Sequence, residues 1–273
     1  MKNYRNIIPI LCLCLILIGC TTGVKDNTQP LDNNGWKKDA QVLKAIEKIN
    51  FTFPSNGLAF ENKEQYVKEC FDAIKTNSEI IELTRFNDTI NIRFFSSREE
   101  SGVYTGQKSS GSAWPHIKTL YVVANENQKP PIKHELMHLI TMLKWGYPSP
   151  TSTWMNEGLG TYAENNCNNL NVAQIYRYFL ENDKLIPIDL LTSDFYNQPE
   201  MLGYHQSAYI VEYLLENYTI DQFKRLWTNG FDDFESIYGV PYSVVKAALE
   251  KSVMEAYPIA PEINFEKFTE GCN

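Results

Sequence analysis

Residues 134–138 read His-Glu-Leu-Met-His, and residues 154–159 read Trp-Met-Asn-Glu-Gly-Leu, with Glu157 as the fourth residue of the second stretch. On a helix, His134 and His138 lie four residues apart, so both imidazoles project from the same face. Two His and one Glu form a ligand set that leaves one position open on a catalytic zinc ion. The two stretches therefore predict a zinc site built on two helices.

Glu135 directly follows the first of these histidines. From that position its carboxylate can reach a water on the metal without being a ligand, as a general base in a hydrolase must. Eighteen residues, 139–156, separate His138 from Glu157, and the small and apolar residues around Glu157 predict a second helix packed on the first. The alternative for the first stretch alone is an amphipathic helix that carries two histidines on one side.

His-Glu-x-x-His, followed after eighteen residues by Asn-Glu-Gly around Glu157, resembles the gluzincin metallopeptidases. Within them the sequence is most similar to the peptidase MA-like group and, more distantly, to the aminopeptidase N family. The resemblance runs from about residue 119 to about residue 253. It implies that His134, His138 and Glu157 bind one zinc ion per chain and that Glu135 is the general base. It also implies a zincin-like fold with the active site between a sheet-containing half and a helical half.

Residues 203–209, Gly-Tyr-His-Gln-Ser-Ala-Tyr, resemble the Tyr-x-Gln element that peptidase MA-like proteins carry after the third ligand. The resemblance implies that Tyr204 stabilises the tetrahedral oxyanion. An imidazolium is chemically able to donate to the same oxyanion, so His205 is an alternative for this role. A third alternative is that Tyr204, one of 16 tyrosines, only packs.

Two departures from these relatives concern ligand orientation and substrate choice. Thermolysin-like enzymes carry an Asp four residues after the third ligand, where this chain has Thr161. Glu164, two turns beyond Glu157, is the candidate that accepts the second N–H of a zinc-binding imidazole; an exposed carboxylate at a helix end is the alternative. The Gly-x-Met-Glu-Asn segment with which aminopeptidase N enzymes hold a substrate N-terminus does not occur in the chain. Endopeptidase activity is therefore favoured over aminopeptidase activity.

The N-terminus has the pattern of an export signal. Lys2 and Arg5 precede an apolar run over residues 7–18, which is shorter than the roughly 20 residues that span a bilayer. Residues 17–20, Leu-Ile-Gly-Cys, resemble a bacterial lipobox, which implies cleavage before Cys20 and lipidation of its thiol. An uncleaved anchor and an ordinary secretory signal are the alternatives. We therefore expect a bacterial cell-envelope protein, exported and held to a membrane by the lipid on Cys20.

The charge balance argues against two classes of partner. The formal net charge is −8, and removing the two cations Lys2 and Arg5 with the signal peptide would lower it to −10. An acidic chain without a basic run argues against nucleic-acid binding and against electrostatic binding to anionic lipid. With 43% hydrophobic and 13% aromatic residues, the chain has enough apolar side chains for a sizeable core.

The hydrophobic pattern predicts an α+β fold in which a small mixed α/β part precedes a mostly helical part that carries the zinc site. The predicted segments are a signal peptide at 1–19, a flexible tether at 20–35, the mixed part at 36–128 and the helical part at 129–273, the last two forming one catalytic unit. Strands are predicted at 89–95 and 117–124 and a loop at 96–112. Helices are predicted at 41–50, 61–77, 171–182, 205–217, 221–229 and 243–255, besides those of the zinc site. The strand at 117–124 is the predicted sheet edge to which an extended peptide would add.

Three of the six cysteines lie beyond the signal peptide and the lipidation residue, namely Cys70, Cys167 and Cys272. An odd number permits at most one disulfide among them, and an exported setting allows it to form. Cys167 with Cys272 is the predicted pair, and three unpaired thiols are the alternative.

Two functions from different classes fit these observations. The first is an exported zinc metallopeptidase that acts on peptides or unfolded protein segments. The second is a lipid-tethered binding or assembly protein that keeps a peptidase fold. Glu135 favours the enzyme, because a binding role does not need a general base. Zinc-dependent hydrolysis of a non-peptide substrate would use the same residues.

Overall fold

The structure, a computed structural model, describes residues 29–30, 48–127 and 129–272. The signal peptide, Cys20 and most of the tether lie outside these residues, as does most of the helix predicted at 41–50. Within the described ranges, no helix combines the length and the apolar character that crossing a membrane requires.

In the described part, five strands form one sheet. They are β1 (Gln29–Pro30), β2 (Ile49–Phe53), β3 (Ile90–Phe95), β4 (Gly111–Trp114) and β5 (Thr119–Val123). The order across the sheet is β1-β2-β3-β5-β4, in which β2, β3 and β5 are parallel. The outer strands β1 and β4 are antiparallel to their neighbours.

Helices occupy most of the chain after the sheet. Those of the described part are α1 (Leu58–Glu61), α2 (Lys63–Ile80), α3 (Arg98–Thr105), α4 (Ile132–Trp145), α5 (Thr153–Glu164), α6 (Val172–Glu181), α7 (Ile188–Ser193), α8 (Glu200–Asn217), α9 (Ile220–Asn229), α10 (Phe234–Tyr238), α11 (Tyr242–Ala256) and α12 (Phe265–Thr269). The predicted α+β class is confirmed, because a small mixed sheet precedes a mostly helical region.

The central strands are buried because they are apolar on both faces. Every residue of β5 is buried, whereas β3 exposes Asn91 on one side. Phe94 of β3 stacks on Phe53 and Tyr66, with ring centroids 4.5 and 5.3 Å apart. These rings belong to a single hydrophobic cluster that continues into the helical part. The sheet and the helices therefore share one core, and the boundary near residue 128 stays a prediction.

The sheet edge corrects the sequence analysis. The strand predicted at 117–124 is present as β5, but it lies between β3 and β4 and is an inner strand. The loop predicted at 96–112 is wrong, because this range contains α3 and the start of the edge strand β4. Ser97 caps α3 by accepting the backbone N–H of Glu100. Pairing with β5 gives the short Gly-Ser-Ala-Trp segment its extended conformation despite its weak strand propensity.

The remaining predicted elements are largely confirmed. The predictions at 61–77, 89–95, 171–182, 205–217, 221–229 and 243–255 correspond to α2, β3, α6, α8, α9 and α11. Helix α8 begins earlier than predicted, at Glu200, so that its first turn lies beside the candidate site. Ile49 and Asn50, predicted as helical, lie in β2, where they pair with β3.

Helices α4, α5 and α8 carry the candidate site and pack closely on one another. Helix α4 begins after Pro131 and ends at Trp145, where Gly146, with φ 85°, is the C-cap. A Cβ on Gly158 of α5 would lie 2.7 Å from the carbonyl carbon of Ser207 in α8. The absence of a side chain at Gly158 thus allows the two helices to approach each other.

Candidate metal centre

The two histidines of α4 converge on one point. His134 and His138 are one helical turn apart, and their Nε2 atoms are 2.9 Å from each other. The rings are almost perpendicular, with centroids 4.5 Å apart. A Cβ on Gly160 of α5 would lie 2.9 Å from the His134 ring. The ring of His134 can therefore occupy its position only because residue 160 has no side chain.

Glu157 of α5 completes the cluster. Its Oε2 is 3.5 Å from His134 Nε2 and 3.3 Å from His138 Nε2. Nitrogen or oxygen ligands at about 2.0–2.1 Å from a tetrahedral zinc ion lie about 3.3 Å from one another, so the three donor atoms fit a zinc site. Burial acts to raise the pKa of Glu157, but His138 and His134 outweigh it and hold the pKa well below its ordinary range. The carboxylate is therefore ionised and available as a ligand.

Asn156 orients one of these ligands. Its Oδ1 is 3.0 Å from His138 Nδ1, and its Nδ2 donates to Glu157 Oε1 over 3.2 Å. Because an amide oxygen only accepts, His138 Nδ1 carries the proton and Nε2 presents its lone pair to the centre. Nothing in the sequence pattern marks Asn156 for this role, although it directly precedes the third predicted ligand.

Glu164, the residue predicted for this orienting role, contacts a different part of α4. Glu164 Oε1 accepts the backbone N–H of His134 over 3.4 Å, so it contacts the main chain of α4. Thr161, at the position where thermolysin-like relatives carry Asp, donates its hydroxyl to the backbone oxygen of Glu157 in its own helix. Glu164 thus steadies the start of the histidine helix, while Asn156 contacts the imidazole of His138.

Glu135 lies beside the donor cluster and against the sheet edge. A Cβ on Gly111 of β4 would lie 2.8 Å from Glu135 Oε1, so β4 passes directly over this carboxylate. Burial raises the pKa of Glu135 to about 7; His134 opposes this rise and Glu157 adds to it. A carboxyl group with such a pKa can both accept and return a proton near neutral pH.

The comparison with protein families agrees with this geometry. The family model described as Peptidase MA superfamily matches residues 90–245, which cover more than half of the chain and all of the residues above. The chain belongs to the Peptidase MA superfamily. No curated protein and no solved structure gives a match.

Membership in the Peptidase MA superfamily indicates a metal-dependent, peptidase-like function and hence a peptide or protein substrate. The His134, His138 and Glu157 cluster is one of two groups of potential metal ligands in the described part of this family member.

Tyr204 of α8 lies against His134 of the donor cluster. Its ring is stacked on the His134 ring with centroids 6.1 Å apart and an angle of 18° between the planes. Burial raises the pKa of Tyr204, and the carboxylate of Glu157 raises it further, so the phenol stays protonated and able to donate. The structure therefore brings Tyr204 beside His134, and its role as the oxyanion donor stays a prediction.

Tyr196 is a second phenol at the centre, which the sequence analysis did not single out. Its hydroxyl donates to Glu157 Oε1 over 2.9 Å, while 70% of the residue is exposed. It lies in the short turn Phe195–Asn197 between α7 and α8, where no hydrophobic period marks a functional side chain. Asn156 and Tyr196 thus both contact Oε1 of Glu157, which leaves Oε2 for the histidines.

His205 follows Tyr204 but has other partners. Its Nδ1 is 2.8 Å from the backbone oxygen of Met201, and its Nε2 is 3.6 Å from Cys272 Sγ. Burial lowers the pKa of His205 to about 4, so the imidazole is neutral at neutral pH. The imidazolium considered as an alternative oxyanion donor is therefore not favoured, and Tyr204 is the better candidate.

The predicted disulfide is present between Cys167 and Cys272, whereas Cys70 is a free and buried thiol. The bond joins the segment after α5 to the segment after α12, across 105 residues of sequence. A cross-link of that span stabilises a fold by about 4–5 kcal/mol when it acts mainly on the unfolded chain.

One cleft connects these features. It has a volume of about 1010 Å³ and is lined by Gly111 of the sheet edge, by Glu135 and the three donor residues, by Tyr204 and by Cys272. The arrangement brings a group of potential metal ligands, a buried carboxyl group and two phenols into one cleft.

Proposed function

We propose that the protein is a zinc-dependent metallopeptidase of the gluzincin type, exported and anchored to a membrane through lipid on Cys20. The observation that supports this function best is the convergence of His134, His138 and Glu157, with Glu135 beside them under the edge strand. A binding protein has no need of a buried carboxyl group at that position.

His134 Nε2, His138 Nε2 and Glu157 Oε2 would hold the zinc ion, because their mutual distances of 2.9–3.5 Å match the spacing of ligands on one tetrahedral ion. When bound, zinc supplies Lewis acidity, which polarises the scissile carbonyl and lowers the pKa of water toward neutrality. Asn156 fixes the tautomer of His138, and Tyr196 and Asn156 fix the orientation of Glu157.

Glu135 acts as the general base and then as the general acid. It takes a proton from the attacking water and passes it to the leaving amine, and its pKa of about 7 suits both steps. Tyr204 donates its phenolic proton as a hydrogen bond to the oxyanion that forms on the former carbonyl. Because burial keeps this phenol protonated, it remains a donor throughout the neutral pH range.

The substrate would bind as an extended strand along β4. In the described part β4 ends the sheet and pairs with β5 on one side only, so its other edge can accept backbone hydrogen bonds. Gly111 brings this edge next to Glu135. Backbone recognition favours internal segments of unfolded chains, and the chain lacks a Gly-x-Met-Glu-Asn segment, so we propose an endopeptidase.

The central experiment measures zinc content and cleavage of an unfolded, quenched-fluorescent protein by the mature wild type and by Glu135→Gln. Both proteins should contain one zinc ion, and only the wild type should cleave. Glu126→Gln, which changes an exposed glutamate, is the matched control and should cleave like the wild type. Equal cleavage by Glu135→Gln would refute the base. One zinc ion in every protein with no cleavage by any of them, wild type included, would favour the binding protein.

Two further measurements test the finer parts of the proposal. Acetylating the N-terminus of a peptide substrate should leave cleavage unchanged for an endopeptidase, whereas a loss of cleavage would indicate an aminopeptidase.

Expression of the full chain should place the wild type in the membrane fraction and Cys20→Ser in the soluble fraction. The same distribution for both would refute lipid anchoring at Cys20.

A further inference from the structure

A second group of donor atoms borders the same cleft, which His205 and Cys272 help to line. The two sulfurs of Cys167 and Cys272 and a ring nitrogen of His205 are all within 4.8 Å of one another. These residues come from the segment after α5, from α8 and from the segment after α12, so the fold alone brings them together. Cys167 and His205 are buried, whereas Cys272 is exposed to the cleft.

The hydrogen bonds of His205 fix which nitrogen can act as a ligand. Its Nδ1 lies 2.8 Å from the backbone oxygen of Met201, and a carbonyl oxygen only accepts. Nδ1 therefore carries the proton, and Nε2 presents a lone pair toward Cys272 Sγ at 3.6 Å. His205 is 96% buried. The lone pair on its Nε2 receives no hydrogen bond from Cys272 Sγ, because a disulfide sulfur has no proton to donate. A histidine whose other nitrogen is held by a carbonyl is the usual form of a metal-binding histidine.

Cys167 is held in place by its own turn. Asn168 and Asn169 both have positive φ, 53° and 65°, as a tight two-residue hairpin turn requires. Cys167 and Leu170 exchange both backbone hydrogen bonds across this turn. The Asn168 side chain also lies with its Nδ2 3.9 Å from Cys167 Sγ, where it favours a thiolate. Cys272, in contrast, follows the last helix in irregular structure near the end of the chain.

We propose that reduction of the Cys167–Cys272 disulfide creates a second metal site, in which the two thiolates and His205 Nε2 bind a thiophilic divalent cation such as Zn²⁺. A ligand set of two Cys and one His with an open fourth position is well suited to zinc. This site is separate from the proposed peptidase centre and does not depend on it.

The distances support this ligand set. Sulfur at about 2.3 Å and nitrogen at about 2.0–2.1 Å from a tetrahedral zinc ion lie about 3.6 Å apart, and Cys272 Sγ is 3.6 Å from His205 Nε2. Two thiolates on one zinc ion lie about 3.8 Å apart, compared with about 2.05 Å in a disulfide. A rotation of the exposed Cys272 side chain that keeps its Sγ at this distance from His205 Nε2 would provide the separation, with Cys167 and His205 in their present positions.

The chemistry balances with a dithiol as the reductant. The S–S bond breaks, two electrons and two protons pass to Cys167 and Cys272, and the dithiol becomes a disulfide. The divalent cation then displaces the two thiol protons. The metal would hold the C-terminal segment beside His205, next to Tyr204, as the disulfide does in the oxidised protein.

Titration with Co²⁺ tests the proposal, because only thiolate ligands give a sulfur-to-cobalt charge-transfer absorption in the near ultraviolet. The mature protein is first reduced with a water-soluble phosphine. The disulfide becomes two thiols, and the phosphine takes the oxygen of one water molecule and becomes its oxide. The reagent is then removed in the absence of air. Reduced wild type should show the absorption and bind one Co²⁺ more than the oxidised protein. The first cluster, formed by His134, His138 and Glu157, has no sulfur ligand. If it failed to bind Co²⁺, the number of ions bound would fall equally in the reduced and the oxidised protein, and the sulfur absorption would stay the same.

Variants assign the absorption to the three residues. Cys272→Ser and Cys167→Ser should each abolish the two-thiolate spectrum, whereas Cys70→Ala should retain it. His205→Gln should weaken Co²⁺ binding at this site at least about tenfold, and His116→Gln, which changes an exposed histidine, should not. Circular dichroism confirms that each variant is folded. The proposal is overturned if reduced wild type lacks the absorption, if Cys272→Ser retains it, or if His205→Gln binds as tightly as wild type.

Discussion

The two donor clusters of the cleft differ in how the chain assembles them. His134, His138 and Glu157 come from two adjacent helices within 24 residues of sequence, whereas Cys167, His205 and Cys272 span 106 residues. The first cluster combines imidazoles with a carboxylate and has a buried carboxyl group, Glu135, beside it. The second is closed by a covalent bond between two of its members. Helical spacing pairs the two histidines of the first set and the packing of one neighbouring helix adds Glu157, whereas the second set draws on three distant segments of the chain.

Removing a histidine from the first cluster should have the largest effect and should separate its role from that of the second cluster. His138→Ala removes a ligand of the first cluster, so we expect loss of zinc from the oxidised protein and a fall in kcat/KM of more than about 10³-fold. The measurement is metal analysis together with cleavage of an unfolded protein. His116→Ala, at an exposed histidine, is the control and should behave like wild type. Full zinc content in His138→Ala would contradict the ligand set.

The two phenols near the first cluster should differ from each other. Tyr204→Phe removes the proposed oxyanion donor, so kcat should fall about 10²–10³-fold with unchanged zinc content. Tyr196→Phe removes a hydrogen bond to Glu157 and should instead weaken zinc binding. Steady-state kinetics and zinc titration of both variants distinguish these effects. Unchanged kcat in Tyr204→Phe, with a large fall in Tyr196→Phe, would transfer the oxyanion role to Tyr196.

Asn156 allows a smaller change at the first cluster. Asn156→Ala should weaken zinc binding about 10–100-fold, because His138 loses the acceptor that fixes its ring and tautomer. Asn156→Asp keeps an acceptor for His138 Nδ1 and should restore most of the affinity. Competition with a chelator of known affinity measures both. Equal affinity in Asn156→Ala and wild type would show that Asn156 does not orient the ligand.

Glu212, a partly buried acid outside both clusters, provides a reference, because its substitution should have the smallest effect on the metal centre. Glu212 lies on α8, and its Oε2 is buried without a hydrogen-bond partner in the described part of the chain. Burial, with a contribution from Glu216, raises its pKa to about 7. The folded state therefore binds more protons than the unfolded state between about pH 4.5 and pH 7, so this group makes stability fall as pH rises.

Glu212→Gln should flatten that part of the stability profile and leave zinc content unchanged. Urea unfolding at several pH values across this window, for wild type and Glu212→Gln, measures the difference. Parallel profiles for the two proteins would mean that Glu212 titrates normally in the folded state.

The sequence predicts the first cluster well because its information is local. A spacing of four on a helix places His134 and His138 on one face, and the structure brings Glu157 to them as expected. The contact of Asn156 with His138 could not be predicted in this way, because neighbouring residues on a helix point about 100° apart. The crossing of α4 and α5 allows Asn156 and Glu157 to contact the same imidazole, and only the packing of the two helices shows it.

The edge strand and the second cluster could not be predicted for a related reason. The sequence of β4 has weak strand propensity, and its conformation depends on pairing with β5 and on close contact with Glu135. The cysteine count permits one disulfide without indicating the pair, and nothing in the sequence places His205 beside Cys272. Sequence adjacency instead predicts a role for His205 beside Tyr204, although the two side chains have different partners.

X-ray absorption at the zinc edge of the oxidised, mature protein tests the central claim most directly, because it distinguishes the two clusters by the elements around the metal. If His134, His138 and Glu157 hold the zinc ion, the nearest shell contains only nitrogen and oxygen at about 2.0–2.1 Å. A sulfur shell at about 2.3 Å would place zinc at the cysteine cluster instead and would contradict the account.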